Sequence, residues 1–254
     1  TEGKEMKFKE IFEGNNSAYG QLILSGSTTE KGKAEGKAFI KRQPITDKLW
    51  EEHLEGKDPA LGVIPINENN MCKWGCVDVD QYNLDHLSIM RNIKGFGFPL
   101  LTFRSKSGGA HVFLFTATFA PAALFRGKLK DMAAKLGYSN AEIFPKQNKV
   151  DMQKGGTGSF LNLPYHNYKL TTRYAIKDDG SAMSLKEFFE AHDKVKLTED
   201  QLINLTIKEE KVVDNLLEGA PPCLVTIAKQ GIPNGQRNNA MYNFGVYCKK
   251  RYTD

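Results

Sequence analysis

The spacing of apolar and polar residues changes character along this chain, mixing short β-like runs with helical stretches before about Ala182 and turning uniformly helical after it. Met6 to Phe12 has helical spacing, whereas Gly26 to Lys37 is polar and rich in Gly, Lys, Ser and Thr, which predicts an exposed loop. Pro44-Ile45-Thr46-Asp47 reads as a helix start that places Trp50 and Leu54 on one face. Two β-like runs follow, Leu61–Ile66 and Cys72–Val79, and the turn formers Asn67 to Asn70 between them predict a hairpin. Leu84, Leu87 and Met90 recur at helical spacing within Asn83–Ile93. Leu100–Phe103 and Ala110–Phe115 predict a second hairpin around Ser105-Lys106-Ser107-Gly108-Gly109. Pro121 opens a helix carrying Leu124, Leu129, Met132 and Leu136, and Gly137 stands where a closing glycine belongs. Glu142–Phe144 and Ser159–Leu163 complete the strand candidates.

The order β-β-α-β-β-α-β-β predicts an α+β domain rather than an alternating parallel sheet. Beyond it, Ser184–His192, Thr198–Leu217, Pro222–Lys229 and Gln236–Tyr252 are helix-like. The expected organisation is therefore a mixed domain over residues 1–180 and a small helical module over 181–254. The last helix runs almost to the final residue without a stop signal, so the expectation is a piece of a longer protein. No internal repeat is present.

Composition narrows the class. The chain has 254 residues, room for one large domain or a domain with an appendage. With 40% hydrophobic and 26% charged residues, it is neither disordered nor collagen-like. No apolar stretch approaches the ~20 residues of a bilayer span, and no cationic start precedes an apolar segment as in a secretory signal. A cytoplasmic protein that does not engage a membrane is expected. The formal charge of +5 permits contact with a polyanion without demanding it. Four cysteines without pairing spacing read as reduced thiols. Cys72 and Cys76, with His86 nearby, lack the second pair of a zinc site.

Asp78-Val79-Asp80 is the sharpest chemical signal. Alternate side chains of a strand share a face, so Asp78 and Asp80 project together while Val77 and Val79 face the core. Their carboxylates would stand roughly 6–7 Å apart, which suits hard divalent cations shared with substrate phosphates and a two-metal phosphoryl-transfer site. The plainer alternative is a strand end with Asp80 near a helix cap. The second signal is Arg104-Ser105-Lys106-Ser107-Gly108-Gly109-Ala110-His111. Small residues in its turn expose backbone N–H groups to an anion, Lys106 adds charge and Ser107 a hydroxyl. His111 opens an otherwise apolar strand and needs a polar partner there. An ordinary glycine hairpin would have the same letters.

Glu142, ahead of Ile143-Phe144-Pro145-Lys146-Gln147, would supply a third carboxylate if its strand lies beside Asp78, with Lys146 and Gln147 reaching phosphate or base; otherwise it is a surface Glu before a bend. Gly156-Thr157-Gly158-Ser159 and Asn162 form a polar, glycine-lined edge nearby in sequence. Gly235-Gln236-Arg237-Asn238-Asn239 stands at a helix start, where Arg237 and Asn238 would meet phosphates or merely cap the helix.

In order and spacing, these motifs resemble the archaeo-eukaryotic primase superfamily, in the primase-polymerase branch found in phages, plasmids and TOTE-type conflict systems. The likeness covers Leu61 to Asn167. It rests on Cys76-Val77-Asp78-Val79-Asp80, Ser107-Gly108-Gly109-Ala110-His111, Glu142-Ile143-Phe144-Pro145-Lys146 and the Gly158-Ser159 to Asn162 stretch; relatives often carry Asp at the place of Glu142. The resemblance implies an RRM-like catalytic core that joins nucleotides on a single-stranded DNA template. It implies Asp78, Asp80 and Glu142 as ligands of two Mg²⁺ or Mn²⁺ ions. Ser107 and His111, with the loop glycines Gly108 and Gly109, would hold an NTP or dNTP, supported by Arg104, Lys106, Lys146 and Asn162. Arg237 and Asn238 fall in a helix similar to the module that often follows such a core, and would touch DNA. A bacterial, phage or mobile-element origin and a helicase domain elsewhere in the full-length protein also fit the likeness. The competing expectations are a metal-dependent nuclease, a nucleotidyltransferase without a template, and a non-catalytic RRM-like module stacking bases on Phe103, Phe113 and Phe115.

Overall fold

The computed structural model describes residues 2–28, 34–151, 153–207 and 217–252, apart from 218, 233 and 234. Its centre is a four-stranded antiparallel sheet of β4 (Met71–Val79), β5 (Leu100–Arg104), β6 (Ala110–Pro121) and β7 (Glu142–Phe144), in the order β5-β6-β4-β7. With α3 (His86–Phe96) after β4 and α4 (Ala122–Lys135) after β6, this is one β-α-β-β-α-β unit of the split, RRM-like kind. A second antiparallel sheet has the order β2-β1-β3-β8 and consists of β1 (Tyr19–Thr28), β2 (Ala34–Lys41), β3 (Leu61–Val63) and β8 (Leu161–Asn162). The α+β expectation therefore holds, with α1 (Glu2–Phe12), α2 (Asp47–Glu55), α5 (Leu185–Val195), α6 (Glu199–Asn204), α7 (Pro222–Gln230) and α8 (Arg237–Tyr252) completing the described elements. No helix among the described residues is long and apolar enough to cross a membrane.

Alternation on β4 separates two cores. Val77 and Val79 face a cluster shared with Ile89 and Ile93 of α3 and with Phe125, Leu129 and Met132 of α4. Gly75 makes the close approach possible, because a Cβ there would meet Leu129 Cδ1 at 2.6 Å. Trp74 and Cys76 face an aromatic cluster with Phe8 and Phe12 of α1, Phe103, Phe113 and Phe115 of the sheet, Tyr165 and Phe188. Phe113 lies 4.9 Å from Phe103, 5.6 Å from Phe12 and 5.8 Å from Trp74, ring centre to ring centre. Each fully buried ring of this kind contributes about 1.5–3 kcal/mol by leaving water. The face that an RRM-like module would offer to nucleic acid is thus packed shut over most of its length.

Three sequence expectations change. Leu61–Ile66 and Cys72–Val79 do not form a hairpin. The turn exists, with Asn67 N donating to the Met71 carbonyl and Asn70 at φ 59°, but β3 pairs with β1 and β8 while β4 pairs with β6 and β7. Apolar runs announce strands, not their partners. Of the loop expected over Gly26–Lys37, the described residues Gly26–Thr28 and Ala34–Lys37 instead belong to a ribbon of the paired strands β1 and β2, with Ile23 opposite Lys37 and Leu24 opposite Gly36, while 29–33 lie outside the described residues. Residues 36–43 of this ribbon are exposed, so no buried face imposes the alternation that marks a strand. The third difference is at Asn83–Ile93. Its helix starts at His86, where the Asp85 carboxylate accepts from Ser88 N at 3.0 Å and caps it.

Beyond residue 180, α5 opens on a capping box between Ser184 and Glu187. It drives Phe188 into the aromatic cluster, 5.2 Å from Phe103 and 5.5 Å from Tyr165. Leu202 of α6 joins the other core. These two helices are part of the sheet's packing. The helix expected over Thr198–Leu217 is described as α6 only to Asn204, and its stretch 208–216 lies outside the described residues.

Candidate active site

The register of the central sheet builds the site. Phe103 pairs with His111, His111 with Asp78, and Asp78 with Glu142. Directly opposed residues of antiparallel strands share a face, with Cβ atoms about 4.5–5.5 Å apart. One row across all four strands thus reads Phe103–His111–Asp78–Glu142, and it is the end of the aromatic face, one step beyond Phe113, Cys76 and Phe144. Asp80 follows Asp78 on the same side at the strand's end. Where aromatic packing stops, charge begins.

Each acid is held by a different neighbour. His111 Nε2 stands 3.4 Å from Asp78 Oδ1, which gives the buried-strand histidine its polar partner. Ser107 Oγ donates to Asp80 Oδ1 at 3.4 Å. Lys146 Nζ donates to Glu142 Oε1 at 3.0 Å, across a pair that is largely in solvent. Among the described residues, no three His, Cys, Asp or Glu side chains already stand together as a metal cluster. The donor set nevertheless fits a divalent cation chemically: carboxylate oxygens on one face, two of them from adjacent strands, which are the hard ligands that Mg²⁺ or Mn²⁺ takes. Repulsion between Asp78 and Glu142, directly opposite each other, is a cost that a cation there would relieve.

The glycine loop is pressed against these acids. Ser105 N donates to the Gly109 carbonyl at 3.0 Å and Gly108 N to the Ser105 carbonyl at 3.1 Å, closing a tight turn in which Gly108 has φ 88°. A Cβ on Gly109 would meet the Val79 carbonyl oxygen at 2.3 Å, so the loop backbone lies directly on the strand that carries Asp78 and Asp80. His86 of α3 braces it through Nε2, 2.9 Å from the Gly109 carbonyl. Lys106 turns the other way, into a cleft of about 360 Å³ that it shares with Asn162, Asp58, Arg173 and the β1 residues Leu22 and Ile23. Burial, then the charge of Arg173, lowers the Lys106 pKa, and burial lowers that of Arg173. Two partly desolvated cations beside one carboxylate leave this cleft attractive to an anion. Asn162 lines the cleft, and its Oδ1 atom is buried without a hydrogen-bond partner.

The structure thus brings together Asp78, Asp80, Glu142, Ser107, Gly108, Gly109, His111 and Lys146, and sets Lys106 and Asn162 in the adjoining cleft. Arg104 alternates off the His111 row, but its side chain stays beside the glycine loop: its Nη2 lies 3.6 Å from where a Cβ on Gly108 would stand, and its Nη1 donates to the Thr172 carbonyl at 3.2 Å. Gln147 is a brace, accepting from Ser159 N at 3.3 Å and donating to Ser159 Oγ at 3.2 Å. Arg237 and Asn238 start α8 and are exposed. Cys76 is buried in the aromatic cluster, where desolvation and the Asp78 charge push its thiol pKa well up, so it is an inert packing residue. Phe103, Phe113 and Phe115 are 0% exposed, which removes the stacking platform that a non-catalytic binding module would need. Arg173 and Asp58 were not legible as site residues, since neither stands in a recognisable motif.

The family model described as "TOTE conflict system, Archaeo-Eukaryotic Primase domain" matches residues 8–205. No curated protein matches the chain.

Proposed function

The chain belongs to the archaeo-eukaryotic primase domain family of TOTE conflict systems, a nucleotidyltransferase kind that generally depends on a divalent metal, and from that premise we propose that it is a DNA-templated primase-polymerase. The observation that carries the reading is the single row His111–Asp78–Glu142 with the glycine loop packed against its end. Acids for cations and a cradle for phosphates occupy one strand edge, as transfer of a nucleotide requires.

Asp78, Asp80 and Glu142 would hold Mg²⁺ or Mn²⁺, which when bound supplies the charge that steadies the attacking and departing oxygens. The rest is positioning by the chain. Ser107, the loop backbone and His111 hold the phosphates of an NTP or dNTP, and Lys106 with Arg173 draws the anion into the cleft. Asn162, which lines the same cleft, meets the sugar. The α-phosphorus then faces the 3′-hydroxyl of a primer or first nucleotide, the new phosphodiester forms, and pyrophosphate leaves. Positioning and charge stabilisation account for most of the rate in such transfers.

The test is synthesis on defined single-stranded templates with labelled nucleotides and Mg²⁺ or Mn²⁺. Product whose sequence follows the template supports the proposal. Product that ignores the template makes the chain a non-templated transferase, and degradation of the template without any product makes it a nuclease.

A further inference from the structure

The ribbon β1–β2 projects a second feature that the nucleotide site does not use. On the edge strand β2, Lys37, Phe39 and Lys41 alternate onto one face, opposite Ile23, Gln21 and Tyr19 of β1. Phe39 is 37% exposed and Ile23 49% exposed. The Lys37 ammonium lies 5.4 Å from the Phe39 ring centre. Neither Lys37 nor Lys41 has a carboxylate partner among the described residues, and Gly36 to Gln43 contains three basic residues and no acid. A lone lysine on an edge strand guards against unwanted strand pairing. That role does not explain an aromatic ring kept in solvent between two lysines.

The ribbon is also continuous with the site. Ile23, the cross-strand partner of Lys37, lines the cleft that holds Lys106, Arg173 and Asn162, and Lys106 adjoins Ser107, which touches Asp80. A chain leaving the nucleotide cleft past Ile23 runs onto Phe39 with a cation on either side. Two residues of strand separate each lysine from the ring, about 6–7 Å. Cations that follow a sugar–phosphate backbone around an aromatic platform are the chemistry of single-strand binding without sequence preference.

We propose that the Lys37–Phe39–Lys41 face of the ribbon is a docking surface for single-stranded DNA, guiding the template as it passes the nucleotide cleft. The surface itself stands on the ribbon's chemistry, and its role as a template guide rests on the templated reading above.

The test uses the full chain and a labelled oligothymidylate, with affinity measured by fluorescence anisotropy across a salt series. Lys37→Gln with Lys41→Gln should weaken binding at least about tenfold and flatten the slope of log affinity against log salt by about 1.4, at roughly 0.7 per phosphate contact on a single strand. Phe39→Ala should weaken binding about 5- to 100-fold and leave that slope unchanged. The nucleotide KM for single additions should stay constant in both variants. Unaltered affinity and slope overturn the proposal, as does a ribbon that instead pairs two copies of the chain, seen as a dimer that the variants dissociate with DNA affinity intact. A wild-type chain that binds DNA through the ribbon yet copies no template leaves this surface standing and defeats the templated reading. Normal template copying by variants of unchanged DNA affinity does the reverse.

Discussion

The two sheets treat their strands in opposite ways. β4 of the central sheet is covered on both sides, by α3 and α4 on one and by the aromatic cluster on the other, so nearly every residue from Cys72 to Val79 is fixed by packing. The β1–β2 ribbon of the other sheet is held by its ladder at one end and leaves residues 36–43 in solvent. The first arrangement holds the row His111–Asp78–Glu142 at the point where packing ends. The second leaves the side chains of residues 36–43 in solvent. Precision and reach are divided between them.

Four probes test that division. The largest effect is expected at Asp78. Asp78→Asn should cut nucleotide incorporation to about a thousandth or less, the scale of losing a group that stabilises transition-state charge. Because it also relieves the repulsion from Glu142, thermal unfolding should show an unchanged or raised melting temperature; a large fall in melting temperature would mean that Asp78 is structural. Next comes Phe113→Ala in the aromatic cluster, which should cost about 3–5 kcal/mol in urea denaturation. Phe39→Ala on the ribbon should stay within about 0.5 kcal/mol. Equal costs at the two phenylalanines would erase the contrast.

Acid is the third probe, and it acts on the packed side. His53 is buried, with Nδ1 accepting from Leu61 N at 3.0 Å and Nε2 donating to the Pro164 carbonyl at 2.8 Å. Desolvation lowers its pKa to about 3, and that of His192 to about 4. In the unfolded chain both titrate near 6.5. Below that value the unfolded state takes up protons that the folded state refuses. Stability is therefore fully present above about pH 6.5 and declines as pH falls, by up to ~1.4 kcal/mol per pH unit for each histidine. Urea midpoints taken from about pH 7.5 to about pH 5 should show this decline, with a smaller slope in His53→Gln. The last probe is the exposed Lys146–Glu142 pair. Lys146→Ala should change stability by less than about 1 kcal/mol, while freeing Glu142 should tighten Mn²⁺ binding measured by calorimetry.

What could be read from the letters follows the same division. The strands and helices from Met71 to Phe144 were legible because burial, on both faces of β4 and on one stripe of each helix, leaves apolar runs or helical spacing in the letters, and the alternation of Asp78 and Asp80 with Val77 and Val79 followed from parity alone. That Glu142 stands opposite Asp78 did not, since register is set by the ladder between strands far apart in sequence. The amphipathic spacing of Leu185, Phe188 and His192 announced a helix without saying that it docks on Phe103. Arg173 belongs to the cleft only because the segment Tyr174–Ile176 runs beside β5, with Arg104 N bonded to the Tyr174 carbonyl and Ile176 N to the Thr102 carbonyl. The part of the ribbon that falls within Gly26–Lys37 reads as a loop in sequence, and the exposure of residues 36–43 shows why: solvent around β2 leaves no hydrophobic pattern.

Gly109 carries a consequence for anyone wishing to retune this enzyme. A methyl group at that position would collide with the Val79 carbonyl, forcing the turn to retreat by an amount comparable to a bond length and carrying the Ser107 hydroxyl away from Asp80. The position works as a spacer gauge between two halves of one tool. A library that opens codon 109 disturbs the seat of the loop on the strand that carries Asp78 and Asp80, whereas one that varies Lys106 alters the cleft and leaves that seat in place.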